Sequence, residues 1–162
     1  MAAEKAPSAG TPGPNLRSLP VTWRPTRTRA VLRIAAVLLF GVFLLIAVLM
    51  PGSGGAPWSV VDKVSLTGAA ALFAAGLLML SRPRVDADEA GVTVVNLINR
   101  RRLAWAEIVR VNLRQGDPWA LLDLADGSTV PAMGIQPAGG RDQAIRAARE
   151  LRDLVELHGT AH

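Results

Sequence analysis

Three consecutive arginines, Arg100, Arg101 and Arg102, stand in the stretch NLINRRRLAWAEI, residues 96–108, between two apolar runs. Cations so spaced suit three tasks: holding nucleic-acid phosphate, touching phospholipid headgroups, or facing water at the start of a strand. The acids Glu107, Asp117, Asp123 and Asp126 follow them. Carboxylates are the raw material of acid–base catalysis and of hard-metal sites. Their spacing matches no metal loop, however, and Asp117 and Asp126 fall in the turn sequences QGDP and DGS, where aspartate bonds to nearby backbone. The chain has no cysteine, and His158 and His162 are its only histidines. Thiolate nucleophiles, disulfides and cysteine metal sites are excluded, and no histidine-centred constellation is available. The GSGG at 52–55 lacks the lysine and the strand–helix setting of a phosphate loop. The expectation is a non-enzymatic protein with no catalytic, metal or cofactor-binding residues.

Charge decides more about the arginines than their number does. The net charge is +5 over 162 residues. Lys5, Arg17, Arg24, Arg27, Arg29 and Arg33 against Glu4 account for all of it, while acids and arginines balance from residue 82 onward. A neutral domain without aromatics interleaved in its basic run argues against nucleic acid. Near an anionic leaflet each arginine is worth about 1 kcal/mol. That makes Arg100, Arg101 and Arg102, together with Arg82 and Arg84, candidate membrane or partner contacts.

The elements that position these residues follow from hydropathy. Half of the residues are apolar but only 4% are aromatic, a balance nearer to membrane spans than to a globular core. Residues 1–29, rich in Pro, Gly, Ser and Thr, read as a disordered basic arm. Residues 30–81 read as a two-helix transmembrane hairpin with spans at 30–50 and 60–80. The run from Ile34 to Met50 alone gives about 25 Å of helix at roughly 1.5 Å per residue. Arg33 can snorkel to complete the roughly 30 Å needed. Small residues from Gly68 to Gly76 should let the second helix approach the larger side chains of the first. Trp58 falls at the expected interface. Arginines flank the outer ends of both spans and the connector is neutral, which predicts a multi-pass protein of the inner cell membrane with both termini cytoplasmic.

From residue 82 to 158 the pattern changes to short alternating strands with turns at 88–91, 96–99, QGDP and DGS. Leu103 and Trp105 fall on one strand face, and Val109, Val111 and Leu113 on another. Leu103, Trp105, Ile108 and Trp119 are the expected core residues. An amphipathic helix follows Gly139–Gly140, with Ala144, Ala148, Leu151 and Val155 on one face; residues 159–162 form a tail. The fold class is thus a membrane helical hairpin plus a mainly-β domain of antiparallel strands with a C-terminal helix plugging one open end.

RPRVDADEAGVTVVN followed by RRRLAWAEIVRV resembles bacterial PH domains, in particular those of the actinobacterial low molecular weight protein antigen 6 family. The resemblance covers roughly residues 30–157 and implies two spans followed by a PH-like domain; it carries over no defined activity. Phosphoinositide-binding PH domains place basic residues in the loop between their first two strands. Aligned to the turn DADEAG, that loop carries Asp86, Asp88 and Glu89 here, which implies that phosphoinositide is not a ligand. The functional expectation is a membrane-anchored interaction module or accessory subunit that binds a protein partner. The alternative is an envelope-associated protein sensing anionic lipid in the bilayer.

Overall fold

The computed structural model describes residues 18–49 and 58–159. The expected disorder of residues 1–17, the end of the first span at Met50, the connector at 51–57 and the tail from residue 160 lie outside the described residues.

The first element corrects the reading of 1–29 as a disordered arm. Val21–Trp23 is a strand, β1, and it closes one edge of a sheet. Val21 and Trp23 point into the core and Thr22 points out, the two-residue alternation of a half-buried strand. Helix α1 then runs over Thr26–Leu49 and α2 over Val60–Leu80. The first helix begins before the expected residue 30 because the Pro25 carbonyl accepts the Arg29 N–H at 3.0 Å. A proline ahead of the first turn removes no helical hydrogen bond. At the start of α2, Ser59 and Asp62 form a reciprocal capping box, with Ser59 N–H donating to Asp62 at 3.1 Å and Asp62 N–H donating to Ser59 Oγ at 3.2 Å.

Both helices are long and apolar enough to cross a membrane. They pack on one another through alanines, with Ala36 and Ala47 of α1 and Ala70 and Ala74 of α2 buried. Other large side chains, Leu38, Leu72 and Phe73 among them, face outward. Larger side chains share the seam, with Leu39, Phe40 and Phe43 of α1 and Leu66 and Leu77 of α2 half-buried, so the small residues of α2 meet a mixed face of α1. Gly68, placed at this contact by composition, is exposed instead.

Beyond α2 the strands are β2 (Arg84–Asp88), β3 (Gly91–Val95), β4 (Arg100–Leu103), β5 (Ile108–Asn112), β6 (Ala120–Leu124) and β7 (Thr129–Ala132), followed by helix α3 (Arg141–Gly159). They form two antiparallel sheets, ordered β1-β2-β3-β4 and β5-β6-β7. One continuous core joins them, with Val85, Val92, Leu103, Val111 and Leu122 facing Leu151 and Leu154 of α3. Each such side chain contributes roughly 1.5–3 kcal/mol by leaving water.

Two details differ from the expected alternation. Trp105 is not a strand residue but opens a single 3-10 turn, Trp105–Glu107, with its ring still buried. Val109 does not join Val111 in the core. The register shifts between Ile108 and Arg110, so the bulge sends Ile108 inward and leaves Val109 63% exposed.

Candidate functional site

The register of the first sheet places several strand ends together. Trp23 pairs with Val85, and Arg84 pairs with Val95, which in turn pairs with Arg100. At this end the chain leaves β1 for α1 and returns from α2 into β2. The helical pair is therefore inserted between two adjacent strands, and its base sits on the sheet end formed by Trp23, Arg84, Val95 and Arg100.

Glycine fixes the connector after β7 against this base. A Cβ on Gly134 would stand 2.6 Å from the Arg84 backbone, and one on Gly139 would stand 3.2 Å from Thr28 Oγ1. The chain from β7 to α3 thus lies against the exit of α2 and the entry of α1 at once. Trp23 completes the junction: its indole N–H donates to Glu150 of α3 at 2.9 Å.

A cleft of about 750 Å³ opens between the entry to α1 and α3. Arg24, Arg146 and Arg149 line it together with Glu150 and Asp153. The mixture of signs gives no uniform field for a polyanion and suits a partner that carries both donors and acceptors. A second groove, of about 380 Å³, runs between β5 and α3 and includes Arg110, Arg152 and Glu156. In it Arg152 donates to the Val111 carbonyl at 2.8 Å, covering part of an edge strand.

The three arginines form β4, the other edge of the first sheet, and they are not equivalent. Arg102 donates to Asp88 at 2.8 Å and to Thr93 Oγ1 at 3.3 Å. Arg101 lies 3.8 Å from Asp126 of the β6–β7 turn, an ion pair that bridges the two sheets. Arg100 makes no ion pair among the described residues and is exposed, as is Arg82. Arg84 is bound to Asp86 at 2.7 Å. The Arg102 hydrogen bond, with help from the Ala90 N–H, holds the Asp88 carboxyl below its usual range. Hydrogen bonds from Ser128 do the same for Asp126.

The remaining residues singled out by sequence are structural. Glu107 accepts the Ala104 N–H, Asp117 accepts the Arg114 N–H, and Asp123 accepts from Asn112 and Thr129. Among the described residues no group of His, Asp or Glu side chains is placed to hold a metal ion. Leu103, Trp105 and Ile108 lie in the core, whereas Trp119 is only half-buried at the entry to β6. Trp105 donates to the Asp88 carbonyl at 3.1 Å and stacks on His158 with ring centroids 5.0 Å apart, tying the β2–β3 turn to α3. Sequence reasoning missed Trp23 and Glu150. The available signal was the alternation of Val21 and Trp23 between Pro20 and Pro25.

Seven strands in sheets of four and three, closed by one C-terminal helix, define a PH-like domain, and the chain belongs to the bacterial PH domain family. The family pattern matches residues 82–154. The chain is also similar to uncharacterized proteins of Mycobacterium tuberculosis strain H37Rv and of Mycobacterium bovis. Each is 33% identical over 133 residues, covering 82% of this chain and 84% of the relative. No solved structure matches the chain.

The matched segment begins after the helices, so β1 lies outside it. This corrects the argument about phosphoinositide. The acidic segment, with Asp86 and Asp88 on β2 and Glu89 in the turn after it, joins the second and third strands; the connection between the first two strands is the helical pair itself. Repulsion at the acidic turn therefore says nothing about that connection.

Proposed function

We propose that this protein is a non-enzymatic, membrane-anchored PH-like interaction module. It acts at the inner face of the cell membrane, binding a protein partner or serving as an accessory subunit of a larger membrane complex. The observation that carries this reading is the insertion of two membrane-length helices between β1 and β2. Strand pairing across their base brings both ends of the helical pair to one side. Arg24, Arg27, Arg29 and Arg33 before or within the first span and Arg82 and Arg84 after the second support a cytoplasmic location for that side. The plan agrees with kinship to the low molecular weight protein antigen 6 family.

The cleft at the junction is the best surface for the partner. Its mixed charges and the buried Trp23 beside them fit a folded protein segment better than a phosphate. The test is site-specific photocrosslinking in native membranes, with the crosslinker at Arg149 in the cleft and at Glu89 on the far turn. A discrete adduct at 149 that is missing at 89 is expected. No adduct at 149 under several extraction conditions would count against a partner there. The runner-up reading, sensing of anionic lipid, is favoured by Arg82 and Arg100, both exposed and without an ion pair among the described residues.

A further inference from the structure

The β3–β4 turn, Asn96–Asn99, presents an apolar tip on a braced frame. Ile98 is 87% exposed, more than any large apolar side chain described on either helix. Burial within the protein therefore does not explain an isoleucine there. The turn is also held from both sides. The Asn96 N–H donates to the Asn99 carbonyl at 2.9 Å. The Asn96 side chain donates to the Pro131 carbonyl at 2.8 Å and accepts the Met133 N–H at 3.2 Å.

Register supplies the direction. Val95, the last residue before the turn, pairs with Arg84 on one side and Arg100 on the other. Arg84 follows Ser81, whose hydroxyl caps α2 by donating to the Leu78 carbonyl at 2.7 Å. The tip thus projects from the same sheet end as the base of the helical pair. The acidic β2–β3 turn with Glu89 lies at the opposite end. Arg82 and Arg100 flank the tip, while Arg101 and Arg102 are spent on Asp126 and Asp88 farther along the strand.

We propose that Leu97 and Ile98 dip into the leaflet that α1 and α2 enter, with Arg82 and Arg100 resting on anionic headgroups. The turn is a third point of membrane attachment beside the two helices, and it fixes the tilt of the PH-like domain over the bilayer. An apolar tip with two arginines at its base suits the boundary between acyl chains and headgroups. This rests on the membrane-spanning reading above, and the test separates the two.

The chain lacks cysteine, so one introduced cysteine is a unique labelling site. Ile98→Cys, Gly41→Cys and Glu89→Cys full-length proteins would carry an environment-sensitive fluorophore in phosphatidylglycerol vesicles. Gly41 lies within α1 with open space around its Cα, and Glu89 is exposed. The expected result is quenching of position 98 by lipids brominated near the headgroup, of 41 by lipids brominated deep in the chain, and of 89 only by aqueous iodide. Iodide access at 98 with lipid quenching at 41 overturns the proposal and leaves the spanning reading standing. Iodide access at 41 overturns the spanning reading itself. A label at 98 shielded from both quenchers overturns the lipid assignment in favour of a protein contact. Exchanging Arg82 and Arg100 together for glutamine should move the label at 98 toward water in phosphatidylglycerol but not in phosphatidylcholine. An equal response in both lipids refutes the headgroup role.

Discussion

Replacing Trp23 by alanine tests whether the strand ahead of the helices belongs to the domain behind them. Trp23 is 5% exposed and its indole N–H is bonded to Glu150. Truncating a buried tryptophan costs roughly 3–5 kcal/mol. A hydrogen bond to a charged acceptor adds about 1.5 kcal/mol to what is lost. Small domains have only about 5–15 kcal/mol in total, so this is a large fraction of the stability. At about 4–8 °C per kcal/mol for a domain of this size, the melting temperature should fall by roughly 15 °C or more. The assay is a thermal ramp on the full chain in mild detergent, read by tryptic cleavage at Arg110 and Arg114, so that melting of the domain is seen apart from the helices. Thr22→Ala is the control on the same strand: Thr22 points outward and is exposed, and its loss should cost under about 1 kcal/mol. If Trp23→Ala melts with Thr22→Ala, β1 contributes nothing to the fold and the reasoning fails.

Leu151→Ala, at a side chain with no exposed surface, should destabilise the domain by about 2–5 kcal/mol in the same ramp. Gly91→Ala should cost at least about 1–3 kcal/mol, because φ is +148° and an added Cβ would collide with the Leu103 carbonyl oxygen. Arg102→Ala should cost under about 1 kcal/mol, since its pair with Asp88 is about half-exposed on both sides. Asp88 and Asp126 are held below the ordinary carboxylate value of 3.8, so the native state binds fewer protons than the unfolded one in that range. Their contribution is complete above that value and is lost as pH falls through the lowered native values. Acid titration of the melting temperature should show this loss, and Asp88→Asn should remove its share.

Much of the fold was legible because its signals are local. Unbroken apolar runs give α1 and α2, alternation and turn residues give β2 to β7, and the face of Ala144, Ala148, Leu151 and Val155 gives α3. What failed was non-local. Val21–Trp23 is too short to show a period, lies in a Pro- and Arg-rich segment, and finds its partner only beyond both helices. Missing it moved every later strand down by one and assigned the wrong loop to the acidic turn. The bulge at Val109 was hidden for a related reason, since a register shift is a property of a strand pair and not of IVRVN alone. Within the candidate site, the arginine run was visible but the division of labour within it was not. Arg101 and Arg102 are distinguished from Arg100 only by acids brought near by the register and by the β6–β7 turn.

The insertion of the helices inside the sheet also bears on how the chain is assembled. β1 leaves the ribosome first, and its neighbour β2 follows only after both helices have emerged. In a bilayer the two strands can meet only if an even number of segments has crossed between them. A chain with one helix left outside or one helix reversed strands β1 on the wrong side, and β2 keeps an open edge with Val85 and Ala87 uncovered. Completion of the sheet by β1 thus requires the two helix ends to stand together at the sheet end of Trp23 and Arg84.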